Sequence, residues 1–170
     1  MCIRDRRGLK LFVGEARCTL CHSGPDFSNQ AFHNLGLPVT DHRDTGREQG
    51  LRRLAASPFN AAGPYAGEES DADRLRFLPP PESLRGTFKT PSLRNVARTA
   101  PYFHDGRFAT LEQAVRFYLD PPDGETLGER ESTLDLIPNL TDRQVADLVA
   151  FLKTLDSAPL PEAVTTPPSL

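Results

Sequence analysis

The sequence predicts an all-α domain with long loops. Three observations carry this expectation. Apolar residues recur at helical spacing in several segments, no stretch shows the alternation of a strand, and sixteen prolines with twelve glycines punctuate the chain. A length of 170 residues suits one domain with extra loops. The formal net charge of −3 offers no basic surface for nucleic acid or an anionic membrane, and no apolar run approaches a membrane span.

The first expected helix runs from Arg7 to Ala16, with Leu9, Phe12, Val13 and Ala16 on one face. A loop follows from Ser23 to Asp44, broken by Gly24, Pro25, Gly36 and Pro38. Arg47 to Ala56 reads as a second helix on Leu51, Leu54 and Ala55. Ser57 to Arg85 is rich in proline, carries an acidic patch from Glu68 to Asp73, and reads as a long surface excursion. Thr90 to Arg98 reads as a short helix with Pro91 in its first turn. Thr110 and Gln113 form a capping box ahead of a helix whose face is Leu111, Ala114, Val115 and Tyr118. Thr141 and Gln144 form another, ahead of the stripe Val145, Leu148, Val149, Leu152 and Leu155. Residues 157–170 carry four prolines and read as a flexible tail.

One pentapeptide carries chemistry. Cys18, Thr19, Leu20, Cys21 and His22 read C-x-x-C-H, the attachment signature of a c-type haem. Two thiols add to the two vinyl groups of one haem, so they must stand one short turn apart. The following imidazole then lies beneath the iron. A zinc ribbon would need a second cysteine pair, and the third cysteine, Cys2, stands alone. A helix ahead of the motif and an amphipathic helix near the end give the pattern of a cytochrome c-like haem domain. In that fold the two helices cross near the haem edge.

Methionine is absent except for Met1, so the thioether common on the far side of such haems has no source here. His, Tyr, Lys, water or no ligand remain for that position. Covalent haem attachment implies assembly in a periplasmic compartment, although Met1 to Arg7 lacks the apolar core of a signal peptide. Met1 to Arg6 reads as translated adapter sequence and is set aside, Cys2 included, leaving 7–156 as the haem domain.

From Phe88 to Ala97 the chain reads F-K-T-P-S-L-R-N-V-A; Thr99 to Gly106 reads T-A-P-Y-F-H-D-G; Ala109 to Val115 reads A-T-L-E-Q-A-V. With Cys18 to Pro25, Phe32 to Gly36, Asp44 to Arg47 and Leu148 to Leu152, these blocks resemble the C-terminal haem domain of bacterial di-haem cytochrome c peroxidases and their MauG-type relatives. The resemblance implies a partner: an N-terminal domain whose haem reacts with peroxide and draws electrons from this one. With one C-x-x-C-H and no tryptophan, the chain lacks that domain and the tryptophan between the haems. It is expected to be an N-terminally truncated piece, itself without peroxidase activity. A redox protein or small donor would supply electrons. The alternative is a stand-alone mono-haem electron carrier.

The resemblance also assigns residues. In that family the sixth ligand stands fourteen positions beyond the His of the His-Asp-Gly triplet; beyond His104 that position is Tyr118. Classical peroxidases place Met there and MauG-type proteins Tyr. Tyrosinate would favour ferric iron. His104 is the rival ligand, while His33 and His42 read as solvated loop histidines. Backbone oxygens corresponding to Thr99 and Pro101 help bind calcium between the domains, which would leave half a site here. Arg47, Lys89 and Arg94 are candidate partners of the haem propionates.

Overall fold

The structure is a computed structural model and describes residues 2–67, 72–159 and 161–165. Its helices are α1 (Ile3–Val13), α2 (Arg47–Ala56), α3 (Leu111–Phe117), α4 (Asp142–Lys153) and α5 (Glu162–Thr165). Two short strands, β1 (Phe32–His33) and β2 (Phe88–Lys89), pair antiparallel, with Phe32 opposite Lys89 and His33 opposite Phe88. The chain is thus helical with a small two-stranded ladder, where the sequence predicts helices alone. Strands of two residues are too short to show alternation.

The core lies where α1 crosses α4. Phe12 and Ala16 of the α1 segment meet Leu148, Phe151 and Leu152 of α4, and the Phe12 and Phe151 rings lie 5.1 Å apart. Each buried ring contributes a few kcal/mol by leaving water, of order ~1.5–3 kcal/mol. Gly8 makes the close approach: a methyl there would stand 2.0 Å from the carbonyl oxygen of Asp147. The contact face therefore runs through Gly8, Phe12 and Ala16, and Val13, expected on that face, is exposed. Arg7 caps the crossing with two hydrogen bonds to the Asp147 carboxylate. The helix begins at Ile3 and so includes residues set aside in the sequence reading.

Both capping boxes form. Thr110 Oγ1 accepts from the Gln113 backbone N–H, and the Gln113 side chain accepts from Thr110; Thr141 and Gln144 repeat the exchange. They start α3 and α4 where the sequence places them. α2 also matches its expected bounds, with Leu51 buried, but Glu48 is buried beside it, and Leu54 and Ala55 are not.

Thr90 to Arg98 is not a helix apart from one 3₁₀ turn at Val96–Arg98. Its backbone is taken by other partners. Thr90 N–H donates to Ala31, Ser28 Oγ donates to the Thr90 carbonyl, and Asn95 is left-handed at φ 59°. The segment is a strap along the loop that follows His22. The excursion holds 3₁₀ turns at Ala72–Phe77 and Pro81–Leu84, the latter packed on α2; residues 68–71 of its acidic patch lie outside the described residues. Of the expected tail, Ser157 is tied to Asn95 Oδ1 and α5 follows, while residues 160 and 166–170 lie outside the described residues.

Candidate haem site

A left-handed residue, Arg17 (φ 54°), turns the chain out of the α1 segment into a 3₁₀ turn at Cys18–Leu20. Cys21 and His22 both return their N–H groups to the Cys18 carbonyl, at 3.3 and 2.9 Å. This winds the pentapeptide so tightly that Cys18, Cys21 and His22 all line one chamber. Its volume is about 410 Å3, and apolar side chains from the helices, including Phe12, Leu111, Leu148 and Leu152, form much of its wall. That lies within the size of cavities that enclose cofactors.

His22 is oriented by its own loop. Its Nδ1 lies 2.9 Å from the Phe27 carbonyl. Donation from Nδ1 fixes the tautomer and leaves the lone pair on Nε2. Burial pushes the imidazole below its ordinary pKa against the pull of that carbonyl, so the ring is neutral and able to bind a metal. Neither motif cysteine is in a disulfide. Burial pushes Cys18 up to about 12 and Cys21 in the same direction, so neither is a reactive thiolate at neutral pH.

The α3 face Leu111, Ala114, Val115 and Tyr118 lines the same chamber, as its periodicity predicts. Tyr118 ends α3, with its ring centroid 6.0 Å from that of Phe103 and 5.6 Å from that of Phe117. Burial first, then the two cysteine sulfurs, push its phenol well above the usual range. It is therefore a neutral phenol unless a bound cation draws off the proton.

His104 also lines the chamber, stacked on Phe88 with ring centroids 3.5 Å apart. Thr99, Pro101 and Lys89 line it too. Lys89 donates to Gln30 Oε1. Arg47 lies over the Phe32 ring at 4.6 Å, and Arg94 lies over Phe27 at 5.0 Å while donating to the Pro25 carbonyl; neither lines the chamber. His42 is exposed. His33, expected as a solvated loop residue, instead lines the chamber and bonds Glu131 at 3.0 Å and Asn29 at 3.0 Å. Its partner lies 98 positions away, beyond the reach of local sequence reading. Among the described residues no group of three or more His, Cys, Asp or Glu side chains is gathered to hold a metal ion.

Two thiols and a neutral imidazole on the wall of an apolar chamber fit a covalently attached haem. Cys18 and Cys21 would hold it by thioethers and His22 would bind its iron.

No family model matches the chain. Curated relatives do. It is 36% identical over 159 residues to the cytochrome-c peroxidase IdrP1 of Denitromonas iodatirespirans, covering 91% of this chain and 41% of that protein. It is 33% identical over 166 residues to the methylamine utilization protein MauG of Methylorubrum extorquens, covering 95% of this chain and 36% of MauG. Over about nine tenths of its length the chain is thus similar to cytochrome-c peroxidases and to MauG. It spans about two fifths of the length of these relatives. Among solved structures, the di-haem peroxidase BthA of Burkholderia thailandensis superposes with a TM-score of 0.58 at 26% identity, over 93% of this chain and 43% of that one. The described residues of this chain are helix-rich with few strands, consistent with a cytochrome c-like haem domain.

Proposed function

We propose that this chain is the electron-transferring haem domain of a di-haem peroxidase of the MauG type, delivering electrons to a peroxide-reactive haem on an N-terminal domain. The observation that carries it is the convergence of Cys18, Cys21, His22 and Tyr118 on one apolar chamber. Bound in that chamber, haem supplies reversible one-electron chemistry. The chain's own residues set the conditions. Cys18 and Cys21 fix the ring covalently. The Phe27 carbonyl holds His22 so that Nε2 carries the ligating lone pair. Leu111, Leu148 and Leu152 exclude water. Tyr118, on the wall of the same chamber, would be a second protein ligand to the iron, which suits electron transfer rather than peroxide chemistry. Covalent attachment of this type places the protein in the periplasm. A redox protein or a small donor supplies the electrons. The carbonyls of Thr99 and Pro101 would be this chain's share of an interdomain calcium site, where carbonyl oxygen suits a hard cation.

The test is expression with haem-maturation machinery followed by acid–acetone extraction. The colour stays with the protein. Transfer of all haem to the organic phase overturns the reading.

A further inference from the structure

His104 has a second side. Besides the large chamber it lines a separate pocket of about 140 Å3 with a mixed wall, whose charged residues are Asp41, Asp44, Asp105 and Arg107 and whose apolar ones include Leu37, Val39 and Leu127. The imidazole and the Phe88 ring stacked on it belong to both cavities, so together they form part of the partition between them. His104 Nε2 lies 3.8 Å from Asp44 Oδ2; the His104 side chain is 24% exposed and that of Asp44 is 52% exposed. One residue thus touches an apolar chamber on one side and an acidic, water-accessible vestibule on the other.

We propose that His104 is the redox-linked protonation site of this domain, a positioning residue that takes a proton from the vestibule when an electron enters the chamber. The inference rests on the haem-domain reading above. The balance is one for one. A one-electron donor delivers one electron to the iron, and one proton passes from water, beside the Asp44 carboxylate, to His104 Nε2. On reoxidation both leave by the same routes. The proton compensates negative charge gained in a medium that water cannot screen.

The surrounding charges fit this role. Burial pushes His104 below the ordinary imidazole range, while Asp105 and Asp44 pull it up and Arg107 pushes it down. Asp41 also faces the vestibule, but Arg43 holds it. Asp105 is held by Arg107 through two nitrogens, so of these three carboxylates Asp44 is the one placed to pair with His104 once it is protonated. On the chamber side stand Lys89, His33 and Tyr118; His33 is already bonded to Glu131 and Lys89 to Gln30. His104 is therefore neutral in the resting oxidised protein near pH 7. Added negative charge in the chamber raises its pKa.

The experiment is a potentiometric titration of the haem-loaded chain between about pH 5 and 9, a range that brackets an imidazole. It compares wild type, H104Q, D44N and Y118F, after each has kept its colour through acid–acetone. The wild-type potential should fall with rising pH, by up to one proton per electron, and level off on both sides. H104Q should abolish that dependence. D44N keeps an oxygen for the Gly46 N–H and should move the window to lower pH by about 0.2–0.7 units, the range of an exposed ion pair. A flat wild-type profile overturns this proposal alone. So does an unchanged window in both H104Q and D44N, or a slope lost in Y118F and kept in H104Q. Haem lost to the organic phase overturns the haem-domain reading as well. If H104Q fails to load, the direction of the D44N shift decides.

Discussion

Arg7 and Asp147 lock α1 to α4. The guanidinium donates from Nε and Nη2 to the two carboxylate oxygens, at 2.6 and 2.9 Å, and the Asp147 side chain is only 4% exposed. The pair sits directly over the Gly8 crossing, so side-chain charge and backbone approach act on the same contact.

This predicts two stability effects. Gly8→Ala places a methyl against the Asp147 backbone and should destabilise by at least about 1–3 kcal/mol, as overpacking does. Asp147→Asn removes the charge and should lower the melting temperature at neutral pH. Arg7 holds the Asp147 carboxyl below its ordinary range. Its stabilisation is therefore fully present above the unfolded carboxylate pKa of about 3.9 and is lost as pH falls through the lower folded value. Thermal melts of wild type and D147N should converge in that acid window. A gap that persists below it contradicts the assignment.

Attachment should be divided between the two thiols. Cys18→Ala and Cys21→Ala should each leave haem bound through one thioether, and the α-band of the alkaline pyridine derivative should shift accordingly. The double variant should release haem to acid–acetone. Full retention by the double variant would assign the bond elsewhere.

Tyr118 should set the electronic character of the iron. Tyr118→Phe removes an anionic donor, so the ferric spin state should change and the reduction potential rise. Tyr118→Met should raise it as well. Ferric EPR and redox titration check both. Spectra and potential identical to wild type would leave Tyr118 as a packing residue and make His104 the ligand to test.

If His22 and Tyr118 both hold the iron, the haem-loaded chain should turn over hydrogen peroxide slowly while cycling by one electron with a chemical reductant. Stopped-flow mixing with peroxide checks this. Rapid turnover comparable to that of a two-haem relative would contradict the electron-transfer role.

The sequence made the site's attachment point legible because its chemistry is local. Two thiols one turn apart and the next imidazole form a contiguous signal, and the 3₁₀ turn at Cys18–Leu20 needs no distant partner. The two capping boxes were equally local, and so were the helix starts they specify. The failures are all long-range. Thr90 to Arg98 has helical composition, yet Ala31 and Ser28 claim its first backbone groups from 59 and 62 positions away. Val13 fits the apolar period of α1, but Gly8, without a side chain, is what meets α4. His33 joins the chamber through Glu131, which no window of neighbouring residues contains. Of the propionate candidates, Lys89 lines the chamber, whereas Arg47 and Arg94 lie over aromatic rings of the loop after the motif.

The strap from Thr90 to Arg94 bears on the order in which the site would be assembled. Ser28, Ser92 and Arg94 stitch it to the loop after the motif, through the Thr90, Asp26 and Pro25 carbonyls. In the closed fold burial pushes the half-buried Cys18 thiol up to about 12, so it offers little thiolate at neutral pH. On the haem-domain reading, vinyl addition is favoured before these groups pack. Attachment would then accompany folding: the prosthetic group would join a loose chain, and the strap would close over the loop behind it.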